Sequence, residues 1–342
     1  MNRLTHLSLR SRVLKLNPLG DPHERPVIVF HPDTQRALPV VFMLAGFTGT
    51  GQSFLNYDFG SEPMADRLTR LIGQGMPPAI FVFVDAMTRY GGSQYLDSPA
   101  LGRYATHIAE ELVPFIDAQF ATTGRRAVVG KSSGGYGALR LAMDNPHLFH
   151  AAASHSGDAH FALCYASDFI PAVRILRRFM KKSATKDGRH PTATADTARF
   201  FAEWEAMPKK PSHLFPALEL MAMSAAYSPK RGPVGANFDL PVDLETGLCI
   251  PKVFARWLAN DPLVLIEERR VQKALAGLRA LHIDCGTRDE YALDFGARLL
   301  SARLRALRIA HTHEEFEDGH RNVTYRYDVS LPRLVKALSK SW

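Results

Sequence analysis

The feature that most constrains this chain is the run Ala127-Val-Val-Gly130-Lys131-Ser132-Ser133-Gly134-Gly135. A short apolar strand ends there in a Gly-x-Ser-x-Gly turn and leads into a helical pattern from about Tyr136 to Asn145. A turn of this kind lifts a serine onto a sharp bend, and its flanking positions must be glycine because strand and helix backbones crowd together there. Centring the pattern on Ser133 would require glycine where Lys131 stands, so Ser132 is the candidate nucleophile.

A serine hydroxyl is a poor nucleophile at neutral pH and needs a base, itself oriented by an acid. With a nucleophile between strand and helix, both partners are expected further along the chain, in loops at the carboxyl ends of strands. Leu281-His-Ile-Asp284 reads as a strand and is followed by Cys-Gly286-Thr-Arg-Asp289-Glu290-Tyr291. Asp289 lies past the glycine turn and is the preferred acid, with Glu290 as the fallback and Asp284, still inside the strand, as the third choice. His320 follows the next strand, near Thr312–Phe316, and is the candidate base. His311 and His313 flank or enter that strand and read as structural or solvated. His155 follows another strand, and the expectation is that it supports the pocket from behind. Negative charge developing on the substrate would need two backbone N–H donors. Ser133, directly after the nucleophile, offers one. The loop Leu44-Ala45-Gly46-Phe47-Thr48-Gly49 offers the other, with Phe47 first and Gly46 beside it.

The surrounding pattern fits such a site. Pro39–Leu44, Ala79–Val84, Ala127–Val129 and Ala151–Ser154 read as buried strands separated by helical patterns, the signature of a mostly parallel sheet covered by helices. Ile108, Leu112, Phe115 and Ile116 recur at helical spacing, although Pro114 is expected to kink or split that helix. The alternation stops after Gly157. Residues 158–250 are rich in proline and read as a mostly helical insertion, and the alternation resumes with helices near Leu263–Leu278 and Leu293–Leu307. A last helix is expected with Ser330 as its N-cap and Pro332 in its first turn. Arg174, Arg177, Arg178, Lys181 and Lys182, with Lys186 and Arg189 beyond them, read as a solvated basic helix face.

Composition removes several alternatives. The 342 residues are 46% hydrophobic and 22% charged, a globular mix. Three scattered cysteines, Cys164, Cys249 and Cys285, suit a reducing compartment and argue against a disulfide framework or zinc knuckle. No run is long and apolar enough for a membrane helix or a secretory leader, so a soluble, cytoplasmic protein without a membrane partner is expected. The net charge of +8 is dispersed, and no zinc-finger, RNA-binding or Walker-type pattern accompanies it, so no nucleic-acid partner is expected. No metal or organic cofactor is expected either. The sequence leaves the oligomeric state open, a homo-oligomer included.

Taken together, Leu44-Ala-Gly-Phe-Thr48, Gly130-Lys-Ser-Ser-Gly-Gly135, Gly286-Thr-Arg-Asp289-Glu-Tyr291 and Gly319-His320 resemble the putative-esterase branch of the α/β-hydrolases. That branch includes S-formylglutathione hydrolase, feruloyl and enterochelin esterases, and the mycolyltransferase antigens. Gly91-Gly-Ser-Gln-Tyr95…Ser98 and Glu110-Glu-Leu-Val-Pro114 look like its middle region. The resemblance implies a three-layer α/β-hydrolase fold: a catalytic domain of residues 1–157 and 251–342, with 158–250 inserted as a helical cap. It further implies a serine carboxylic-ester hydrolase acting on a small-molecule ester or thioester. Two rivals remain, an acyltransferase with the same residues and a non-catalytic binding protein on the same fold. Lys131 departs from the histidine common in relatives, and the 158–250 segment is longer than in compact members.

Overall fold

The computed structural model describes residues 2–57, 59–183, 192–230 and 237–340. Eight strands form one sheet: β1 (Asn2–Arg10), β2 (Glu24–Pro32), β3 (Leu38–Leu44), β4 (Ile80–Val84), β5 (Thr122–Lys131), β6 (Ala151–His155), β7 (Ala280–Gly286) and β8 (Thr312–Phe316). Their spatial order is β1-β2-β4-β3-β5-β6-β7-β8. β2 pairs antiparallel with both β1 and β4, and every other pairing is parallel. The central strands are unbroken apolar runs because helices bury both of their faces.

Alternation along the strands divides the core in two. Val40, Phe42 and Leu44 of β3, with Val128 of β5, face one cluster, while Val41, Met43, Ala127 and Val129 face the other. The second cluster is closed by α1 (Met64–Gly73) and α6 (Tyr327–Ser339). The first is covered by α2 (Ser133–Asp144), α5 (Leu293–Ala306), the helical segment Tyr104–Gln119, and helices from the stretch between β6 and β7. Those include α3 (Ala166–Leu176) and α4 (Phe215–Tyr227). Their side chains share one apolar cluster with the sheet. The Trp257 indole, fully buried, packs against Tyr165, Phe169 and Tyr227 and donates Nε1–H to Ser228 Oγ at 2.9 Å.

Several local expectations are corrected. The β1–β2 hairpin has no counterpart in the sequence reading. The helical segment at Pro114 is divided rather than uniform: His107–Leu112 is π-helical, Val113 N–H donates to Ile108 O, and an α-helix resumes over Val113–Gln119 with Pro114 in its first turn. That wider turn moves backbone away from the proline ring, which would otherwise strike the carbonyl four residues back. The helix expected over Leu263–Leu278 is split into Pro262–Leu265 and Arg269–Ala276. Ser330 is not an N-cap. α6 begins at Tyr327, and Ser330 sits inside it, fully buried. The basic run is not one helix face either, because α3 ends in a 3₁₀ turn at Arg177–Phe179 and Met180–Ser183 pairs as a strand with Thr192–Ala195. Arg174, Arg177, Arg178 and Lys181 are exposed, while Lys186 and Arg189 lie outside the described residues. No helix among the described residues is long and apolar enough to cross a membrane.

The shared apolar cluster makes a thermodynamic statement. Trp257→Ala is expected to cost about 3–5 kcal/mol, and calorimetry should give one transition at lower temperature. A separate early transition, with the sheet melting at its original temperature, would mean that the stretch between β6 and β7 has a core of its own.

Candidate active site

The elbow is built by crowding. A Cβ on Gly134 would strike the Leu44 carbonyl oxygen and lie 2.8 Å from Ala45 O. A Cβ on Gly130 would strike Gly134 itself and lie 2.7 Å from Leu44 O. Between these glycines Ser132 adopts φ +59° and ψ −128°, a conformation that costs a non-glycine residue about 1–3 kcal/mol. Two hydrogen bonds hold it there: Ser132 N–H donates to His155 O at 2.9 Å, and Tyr136 N–H donates to Ser132 O at 2.9 Å. The half-buried hydroxyl stands at the carboxyl edge of the sheet, where β5 gives way to α2.

The loops after β7 and β8 bring the other two residues to it. His320 Nδ1–H donates to Asp289 Oδ2 at 2.8 Å, and Ser132 O–H donates to His320 Nε2 at 3.0 Å. Asp289 and His320 are both buried, and the Tyr291 ring stands edge-on to the imidazole at 4.8 Å. Burial pushes the Asp289 carboxyl up, but the hydrogen bond and charge of His320 outweigh it and leave the carboxyl below its ordinary value. Asp289 also accepts Tyr291 N–H at 3.0 Å and the Cys285 thiol at 3.5 Å. Glu290 does not reach the imidazole through its carboxylate. It accepts His320 backbone N–H at 2.6 Å, which lowers its pKa and fixes the loop.

The loop after β3 lies against the elbow. Among the described residues neither Phe47 N–H nor Ser133 N–H has an acceptor, and both residues line one small crevice with Gly46, Gly49, Gln94 and Tyr95. Thr48 N–H donates to Gly91 O at 2.7 Å, and Tyr95 O–H donates to Ala45 O at 2.6 Å, so the Gly91–Tyr95 segment braces this loop. Sequence reasoning missed the polar cluster behind it. Gln94 Nε2–H and Tyr165 O–H both donate to Asp158, at 3.0 and 2.7 Å, and Gln94 also donates to Tyr227 at 2.8 Å. Burial raises the pKa of Asp158. The spacing of these four residues, from 94 to 227, gives no local signal.

Comparison with known proteins now decides the family. Residues 22–333 match the Putative esterase family. The chain belongs to that family. Solved structures share the fold across almost its whole length. A ferulic acid esterase matches with TM-score 0.61 and 18% identity, over 98% of each chain. An S-formylglutathione hydrolase from Agrobacterium tumefaciens gives 0.57 and 16%, over 99% of this chain and 96% of its own. The fluorophosphonate-binding serine hydrolase FphF of Staphylococcus aureus gives 0.57 and 13%, over 99% of each. At these identities the likeness establishes the fold.

In this esterase His155 does not line the pocket. It lies beneath the elbow in a second Ser–His–Asp arrangement, fully enclosed. Ser330 O–H donates to His155 Nε2 at 2.8 Å, and His155 Nδ1–H donates to Asp284 Oδ1 at 2.7 Å. His282 Nε2–H at 3.1 Å and Arg326 Nε–H at 2.9 Å donate to Asp284 Oδ2. The two imidazoles and the carboxylate lie close enough to hold a cation. Three N–H donors already occupy the carboxylate, however, and Arg333 also donates to His282 Nδ1 at 3.2 Å, so a cation would have to displace protons beside two guanidinium groups. The arrangement is a hydrogen-bond knot joining β6, β7 and α6. Burial alone would raise the Asp284 pKa, but the two imidazoles reverse this and hold it far below the usual carboxylate range.

Two outcomes follow from this geometry. Gly134→Ala should prevent the elbow from closing, giving a protein whose yield or melting temperature falls sharply. A normally stable, fully active Gly134→Ala would contradict the crowding. Asp284→Asn should cost about 3–5 kcal/mol near neutral pH, because it removes one partner from a buried ionic cluster. A carboxyl with a depressed folded-state pKa adds stability above its unfolded value of about 4 and loses it as pH falls through the folded value. The deficit of Asp284→Asn should therefore shrink on acidification. Urea unfolding at several pH values reads this, and a pH-independent deficit would contradict it.

Proposed function

We propose that this chain hydrolyses small or medium carboxylic esters or thioesters through an acyl-enzyme on Ser132. The observation that carries the reading is the unbroken path Ser132 Oγ to His320 Nε2, then His320 Nδ1 to Asp289. In it His320 takes the hydroxyl proton as Ser132 attacks the carbonyl carbon, and returns that proton to the departing alkoxide or thiolate. Asp289 holds the imidazole in the tautomer that leaves Nε2 free to accept, and offsets the charge of the imidazolium. The Phe47 and Ser133 amides, with Gly46 shaping the turn between them, receive the carbonyl oxygen as it becomes an oxyanion. Each such donor contributes about 3–4 kcal/mol to lowering the barrier. Water, activated by the same histidine, then attacks the acyl-enzyme and frees Ser132.

Residues 158–250 act in this reading as a cap over the acyl and alcohol pockets. Family membership supports ester hydrolysis, and the activities of two structural neighbours, a ferulic acid esterase and an S-formylglutathione hydrolase, are consistent with it.

Kinetics of p-nitrophenyl butyrate hydrolysis test the roles. Ser132→Ala should abolish acyl-enzyme turnover. Asp289→Asn should lower kcat by roughly 10⁴-fold, because it stabilises the wrong tautomer. Glu290→Gln keeps an oxygen acceptor for His320 N–H and should stay within a few-fold of wild type. A crippled Glu290→Gln beside an active Asp289→Asn, both folded by thermal melt, would move the acid by one residue.

A further inference from the structure

The last residue of β5 is a lysine that the chemistry above does not use. Strand alternation directs its side chain to the α1/α6 face, since Ala127 and Val129 belong to that core cluster and Val128 to the other. There Lys131 lines a cavity of about 360 Å³. The cavity shares the loop Leu44–Gly49 with the proposed oxyanion site, and Lys131 itself directly precedes Ser132 in the chain. Phe54, Met64 and Tyr327 make its apolar wall, and Ser53, Asn56 and Thr324 add neutral polar groups.

The Lys131 ammonium has no hydrogen-bond partner and no carboxylate within ion-pairing reach among the described residues. Glu62, the one acid among the described residues that line the cavity, is already engaged by Arg70 at 2.6 Å and Arg67 at 3.6 Å. Asp289, Asp158 and Glu290 act on Lys131 only through space, each already holding other donors, and the Arg321 cation opposes them. Burial accordingly lowers the lysine pKa. The half-buried ammonium is thus free to pair with a ligand anion in the cavity, where partial withdrawal from water strengthens such a pair.

We propose that this cavity is a subsite for a carboxylate carried by the ester, with Lys131 as its counter-ion. The proposal rests on the esterase reading and deepens it: the substrate class is a half-ester of a dicarboxylic acid, or an ester whose alcohol carries a carboxylate. A single ammonium flanked by hydroxyl and amide groups suits a carboxylate, whereas neutral polar groups alone would leave such an anion uncompensated.

Two matched pairs test it: mono-p-nitrophenyl glutarate against p-nitrophenyl valerate, and 4-carboxyphenyl valerate against phenyl valerate. In at least one pair wild type should favour the anionic member by about tenfold or more in kcat/KM, and Lys131→Met should erase that ratio through a raised KM for the anion, as loss of a desolvated charge pair requires. Lys131→Arg should retain part of it. Lys131→Gln serves as a second variant should Lys131→Met fold poorly. A wild type with no preference in either pair, or a ratio that Lys131→Met leaves unchanged, overturns the subsite. Should wild type turn over none of the four esters, the esterase reading is what fails. Calorimetric titration with glutarate then decides the subsite: Lys131-dependent binding keeps it, and absence of binding overturns it.

Discussion

At the elbow three backbone segments approach more closely than any side chain would allow. The end of β5, the first turn of α2 and the Leu44 carbonyl meet around Gly130 and Gly134, and the loop after β3 is drawn against Ser132 as a result. That approach has two consequences at once. It forces Ser132 into a left-handed conformation that lifts its hydroxyl off the sheet, and it sets Phe47 and Ser133 amides on one crevice beside it. The parallel order of β3, β5, β6, β7 and β8 then places every loop that carries a reactive group at the same edge.

The molecule uses the same three side-chain types twice, with opposite outcomes. Ser132, His320 and Asp289 sit at the sheet edge, where the hydroxyl keeps some exposure. Ser330, His155 and Asp284 lie beneath them with 0%, 1% and 0% exposure. The buried set has no path to a substrate, and its carboxylate is saturated by two imidazoles and a guanidinium. Its contribution is mechanical. His155 accepts the Ser132 N–H through its own carbonyl, and Asp284 O accepts Ser156 N–H at 2.7 Å, so the knot fixes the strand ends from which the elbow springs. Proximity of Ser, His and Asp defines reactivity only together with access.

How far this was legible in the sequence depends on how local the cause was. The elbow, Asp289 and His320 are dictated by short motifs at strand ends, and the order of strands and helices around them follows from apolar runs. Asp284 and Asp289 were separable because one lies within the strand and the other beyond its glycine turn. The β1–β2 hairpin escaped because β1 is an edge strand whose three leucines, Leu4, Leu7 and Leu9, are scattered among polar and charged residues. Ser330 was misread because a serine before an apolar helical stripe is an ordinary N-cap signal, and the imidazole that claims it is 175 residues away. Pro114 marks the interruption of its helix, but the π turn that accommodates its ring leaves no compositional trace. The Asp158 cluster and the Lys131 cavity depend on contacts between distant segments, which no spacing rule encodes.

The central claim is that Ser132, and no other hydroxyl, is the nucleophile. The most direct measurement treats the intact protein with a fluorophosphonate and maps the adduct by fragment-ion mass spectrometry of two tryptic peptides, Ser132–Arg140, which contains both Ser132 and Ser133, and Tyr327–Arg333, which contains Ser330. The account expects one adduct per chain, on Ser132, and none on the buried Ser330. An adduct on Ser133 or Ser330, or an unmodified Ser132–Arg140 peptide from a folded protein that still hydrolyses esters, would contradict it.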